Sequence, residues 1–124
     1  MSRVFDAHGG MLTAEELVQC MRTNVAQPLS IVARWIANRS AVHFTWRSQT
    51  WFPSFQFAWN PMSISPAVSV IVLELRDAYD DRELALWFAT PNEWLDHALP
   101  IEAIRCDPAA AVRAARIERL VTAE

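Results

Sequence analysis

Glycine is nearly missing from this chain: there are two in 124 residues, side by side at Gly9 and Gly10. That excludes a glycine-rich phosphate loop, whose backbone must close on the anion without a Cβ in the way. With 52% hydrophobic residues, it also argues against disorder and against a loop-rich fold. Lysine is wholly absent, and all eleven basic residues are arginine; a genome rich in G and C explains that as readily as a binding need does. Cysteine is limited to Cys20 and Cys106, with no C-x-x-C spacing and no histidine beside either. The pattern offers no zinc site and predicts two reduced, structural thiols. Apolar runs such as Val70 to Leu73 fall far short of the roughly 20 residues a membrane span needs, and the opening MSRVFDAHGG has no apolar stretch of the secretory kind. These absences predict a cytoplasmic protein of one domain, with no membrane contact, no metal and no cofactor.

Charge of one sign is missing over a long stretch. No acidic residue lies between Glu16 and Glu74, where Arg22, Arg34, Arg39 and Arg47 stand alone, while eleven carboxylates face six arginines from Glu74 onward. A basic middle and an acidic second half predict internal pairing or a protein partner. Four charges are few for nucleic acid, where affinity rests on many phosphate contacts.

The spacing of the apolar residues predicts mostly helix. TAEELVQCMR opens with Thr13 as N-cap and Glu16 three residues on, and Ala14, Leu17, Val18 and Met21 make one stripe. QPLSIVARWIANR follows, with Pro28 at its first turn, one face of Leu29, Val32, Ala33 and Ile36, and a second of Ile31 and Trp35. A helix apolar over so much of its girth is expected to be buried on two sides. The period then changes to two. Val42, Phe44 and Trp46, a polar RSQT, and Trp51, Phe55 and Phe57 predict a β-hairpin, with Pro53 placing its strand at an edge. Further helices are predicted from Ser65-Pro66 to about Arg76, from Asp80 through DRELALWFA, and from Asp107-Pro108, with turns near 92–95 and 100–104. In the last helix Ala110, Ala114, Ile117 and Val121 share a face. The fold class is therefore mainly α (α+β), a small helical domain of about five helices with one inserted aromatic hairpin. Residues 1–50 hold the N-terminal helices and the first hairpin strand, and residues 51–124 hold the remainder.

Catalytic chemistry finds little support. None of the three histidines sits by a strand-turn-helix nucleophile elbow, and no two lie at helical i, i+4 spacing. Asp80-Asp81 reads as a helix cap, and His43, on the polar side of a strand, reads as a solvated surface residue. The chain is thus not expected to be an enzyme. One stretch invites a DNA-binding reading: VARWIANRSAVHFTW has the look of a helix-turn-helix, in which Arg39, Ser40, His43 and Arg47 would face the bases. Against it stand the missing turn glycine and the β period of VHFTW.

The segment ALWFATPNEWLDHALPIEAI, Ala85 to Ile104, carries a resemblance. Trp87, Pro91-Asn92, Leu95, Pro100-Ile101-Glu102 and the helix from Pro108 occur in the order found in the toxin-binding domain of Xre/MbcA/ParS-like antitoxins. FPSFQF, Phe52 to Phe57, resembles a strand found upstream of that domain, so the likeness runs from about Trp51 to Val121. The turn after Leu95 departs from the pattern: Asp96-His97-Ala98 stands where glycines are usual. The resemblance implies an antitoxin that holds a RES-type toxin through its C-terminal helices. Partner-binding residues are then expected among Trp94, just after the helix break, and Arg113, Arg116 and Arg119 on the last helix. Asn92 would cap the turn. The excess apolar surface predicts a homodimer. The alternatives are a small DNA-binding regulator using Val32 to Arg47, or a stand-alone domain whose shared motif is architectural.

Overall fold

The computed structural model describes residues 2–59 and 62–122. Among them the order is α1 (Ser2–Ala7), β1 (Met11–Thr13), α2 (Ala14–Met21), α3 (Pro28–Ala37), β2 (Phe44–Trp46), β3 (Gln49–Pro53), β4 (Phe57–Trp59), β5 (Met62–Ile64), α4 (Pro66–Leu75), α5 (Asp81–Phe88), α6 (Pro100–Cys106) and α7 (Pro108–Thr122). The fold is mainly helical with a small antiparallel β component, as the sequence predicts. Short 3₁₀ turns cover Ser54–Gln56 and Glu93–Leu95. Residues 100–104, expected to be a turn, are the start of α6, whose Pro100 occupies the first turn.

Local signals set most helix boundaries. Thr13 Oγ1 accepts the Glu16 N–H at 3.2 Å while Glu16 Oε1 accepts the Thr13 N–H at 2.9 Å. Asp80 and Glu83 repeat this reciprocal arrangement at the start of α5, at 2.7 and 3.0 Å. Each box supplies acceptors for two backbone donors that the helix leaves open.

The β structure is richer than one hairpin. β2 and β3 pair across a two-residue turn, Trp46 opposite Gln49, and Arg47 and Ser48 both have positive φ (50° and 63°), as a type I′ turn requires. β1 pairs with the other side of β3, Met11 opposite Pro53 and Thr13 opposite Trp51. The Pro53 strand is therefore central, not an edge. It tolerates proline because Ser54 N–H, not residue 53, bonds Gly10 O (2.9 Å), and β2 pairing ends at Trp51. Beyond that point the Gln56 side chain replaces the ladder. Its Oε1 accepts Val42 N–H at 2.7 Å, and its Nε2 donates to Val42 O at 2.7 Å and to Pro53 O at 2.9 Å. The amide is fully buried. The expected single strand through Phe57 is thus broken by a 3₁₀ turn, and β4 pairs with β5 as a second hairpin.

Two apolar clusters result. The larger joins Phe5, Val42, the Val68, Ile71, Val72 and Leu75 face of α4, the buried face of α5, and Ala111, Ala114 and Ala115 of α7. The smaller joins Leu17, Met21, Val32, Phe52, Phe57 and Met62. Both clusters draw on residues from either side of residue 50. α1 is held by Phe5, which stacks on Phe55 at 6.1 Å, and Phe55 meets Phe88 at 4.9 Å. In α7 the buried row is Ala111, Ala114 and Ala115, while Val121, placed on the apolar face by its spacing, is 53% exposed. α3 is not buried on two sides. Val32 alone is fully covered, Trp35 stacks on Phe57 at 5.6 Å, and Leu29 is 71% exposed, because α3 packs on α2 and the sheet side only. Cys20 and Cys106 are free but exposed, so the structural role expected of the two thiols finds no support in burial.

Candidate partner-binding surface

The helix-turn-helix geometry is not formed. After α3 the chain turns at Arg39, whose φ is 52°, and reaches β2 with no second helix. The β period of VHFTW prevails over the sequence likeness. Arg39 is committed inside the molecule: Nε lies 2.8 Å from Asp81 Oδ1, and its terminal nitrogens donate to Arg76 O (2.7 Å) and Tyr79 O (2.6 Å). His43, expected on the surface, is buried. Its Nδ1 meets Ala41 O at 2.9 Å, its Nε2 lies 3.4 Å from Asp81 Oδ2, and its ring leans on Phe52. Ser40 is half-buried, its N–H bonded to Trp35 O. Arg47 sits at the hairpin tip with its guanidinium 4.4 Å above the Trp46 ring. The four residues do not share a helix face.

The C-terminal residues are arranged otherwise. α5 ends at Phe88 with Ala89 as its C-cap, and Pro91-Asn92 redirects the chain. Asn92 is buried and organises the next six residues: its Oδ1 accepts Trp94 N–H at 2.9 Å, its carbonyl accepts from Leu95 and His97, and its N–H donates to Ala98 O. It caps this turn as the sequence predicts. Asp96 and His97 both have positive φ, 53° and 68°, which an L-residue adopts at a cost of roughly 1–2 kcal/mol each. That is the position where glycine is absent. The turn leaves Trp94 45% exposed.

Trp94 rims a cleft of about 360 Å³ between the end of α5, this turn and α7, lined also by Trp87, Glu93, His97 and Glu118. Trp87 is 8% exposed, and its indole N–H has no partner among the described residues; a buried donor left in this way costs about 1–3 kcal/mol. The Tyr79 hydroxyl is pushed up to about 12, first by burial, then by its hydrogen bond to the Glu118 carboxylate and by the charges of Glu118 and Glu83. Glu93 and Glu118 are members of this group that sequence reasoning missed, and Glu118 is the more distant. It falls on α7 among arginines, and nothing in its spacing ties it to residue 94.

The α7 arginines divide. Glu74 of α4 holds Arg119 at 3.0 Å and Arg116 at 3.6 Å. Arg113 is exposed with no ion pair among the described residues. It borders a second groove of about 540 Å³ with Val70, Val112 and Arg116. Among the described residues no group of three His, Cys, Asp or Glu gathers to hold a metal, and no helix is long and apolar enough to cross a membrane. No family model, curated protein or solved structure matches the chain.

Proposed function

We propose that the chain is a non-catalytic binding protein of the antitoxin type, which holds a partner protein, a RES-type toxin on the sequence resemblance, against its C-terminal half. The observation that carries the reading is Trp94. A large aromatic is held 45% exposed by a turn that a buried asparagine fixes. Preorganised aromatics beside desolvated pockets are what interface hot spots are made of. Arg113, exposed and free of the Glu74 pairing, is the second contact. Arg116 and Arg119 contribute less, because their guanidinium groups already face a carboxylate.

A second copy of the chain is the other partner. The groove between α2 and α3, about 420 Å³, has an apolar floor that includes Val18, Leu29 and Ile36, with Glu15 and Arg22 at its margins. Glu15 lies in the first turn of α2 and Arg22 is its C-cap, seven residues on. In an antiparallel pairing about a two-fold axis, each Glu15 meets the other copy's Arg22, so the surface is complementary to itself.

The test is affinity capture of the tagged chain from its own cells, with Trp94→Ala and Arg113→Ala beside the unaltered protein. A stoichiometric partner that both substitutions release is the expected result. Capture of nothing but the chain itself, or full retention by both variants, overturns the antitoxin reading.

A further inference from the structure

Eight of the ten residues of α4 are apolar, Ser69 and Glu74 being the exceptions. A helix apolar around its whole girth is suited to cover on more than one side. The fold covers one: Val68, Ile71, Val72 and Leu75 are buried, whereas Pro66 and Val70 are exposed and Leu73 is 61% exposed. These three stand at i, i+4 and i+7, a single outward ridge. Between this ridge and α7 lies the trough of about 540 Å³, walled also by Ala109, Val112, Arg113 and Arg116. Its charge is of one sign, since no carboxylate and no histidine lines it. Glu74 is taken up by Arg119 and Arg116, and Asp107 caps the start of α7 by accepting the Ala110 N–H. Arg113 has no ion pair among the described residues. Unlike the groove between α2 and α3, this surface is not complementary to itself: a second copy offers Arg113 no acid from the same face.

We infer that the trough receives one helix of the partner protein, amphipathic and acidic along one flank. Its apolar stripe lies on Pro66, Val70 and Leu73, and a carboxylate of the flank reaches Arg113. The space between two packed helices is what a third helix fills, ridge into groove, with its anchors at i, i+3 or i+4, and i+7. A small apolar ligand needs enclosure over most of its surface, which a trough walled by exposed side chains does not give. Arginine suits the flank because its planar group takes a carboxylate through two parallel donors. The inference rests on reading the chain as a protein-binding module, and it names the kind of segment that binds.

Photo-crosslinking in the chain's own cells tests it. The light-activated amino acid p-benzoylphenylalanine is placed at Leu73, separately at Ser69 beside the ridge, and separately at Trp94, and the joined peptide is sequenced by mass spectrometry. All three positions are exposed, so the substitutions leave the core intact. From Leu73 or Ser69 the expected product is a segment of one partner protein with apolar residues at helical spacing and an acid on the flank. Arg113→Glu is expected to weaken that complex about tenfold, and exchanging the partner's acid for arginine to restore it. A crosslink to a second copy of the chain, a joined segment without acid or without helical spacing, or undiminished binding by Arg113→Glu overturns the inference. A partner joined from Trp94 but from neither α4 position sinks the helix site and leaves the antitoxin reading standing. Absence of any partner, by crosslinking and by capture, sinks both.

Discussion

Arg39 Nε and Asp81 Oδ1 meet at 2.8 Å across 42 residues of sequence. The contact joins the stretch that has no acid to the half that has an excess of them, at the first turn of α5. The same guanidinium closes the carbonyls of Arg76 and Tyr79, so one side chain ties the end of α3 to the connection between α4 and α5. This is the internal pairing that the uneven charge predicts, and it occupies the residue that would have led a DNA contact.

Arg39→Ala is therefore expected to lower stability. Both partners of the pair are about a third exposed or more (34% and 40%), which discounts the ionic part; losing charge-assisted bonds to two carbonyls leaves about 2 kcal/mol. Urea denaturation would register it as a lower midpoint with an unchanged slope. A change under about 0.5 kcal/mol would mean that the clamp contributes nothing net.

Gln56→Leu is expected to cost more. It leaves Val42 N–H and O and Pro53 O without their side-chain partner in a fully buried place, on the order of 3–5 kcal/mol. The same denaturation series ranks it against Arg39→Ala, and the reverse order would contradict the ladder-replacing role.

Tyr79, the single tyrosine, makes an alkaline titration unambiguous. Its absorbance near 295 nm should rise at about 12 and not at 10.0. A folded value above the unfolded one means that the neutral phenol stabilises the fold fully below pH 10 and that this stability is lost as pH climbs to about 12. Glu118→Gln should move the midpoint down without returning it to the ordinary value, since burial is the larger cause.

Scarcity of glycine leaves six other residues at positive φ among the described residues. Ser48→Gly in the hairpin turn is expected to stabilise by about 0.5–1 kcal/mol, raising the thermal midpoint by a few degrees.

The self-complementary groove has a sharp test. Glu15→Arg or Arg22→Glu alone should yield a monomer in light scattering, because each places like charges across the axis. The two together restore both contacts and should restore the dimer. A monomeric unaltered chain, or single variants that stay dimeric, excludes this surface.

What the sequence determined by itself was local. Capping boxes, proline at helix starts and apolar stripes on α4 and α5 placed those helices, since each signal acts within one turn of backbone. Asn92 and the exposed Trp94 were legible for the same reason. Tertiary structure decided what depends on residues far apart. It buried His43 against Asp81, made the proline strand central by adding Met11–Thr13, and let a glutamine side chain stand in for a missing strand. It also brought Glu118 beside Trp87 and Trp94. Hydrophobic period says which face of an element turns inward, but not which other element meets it there. That choice is made by packing, and the cleft is a product of packing.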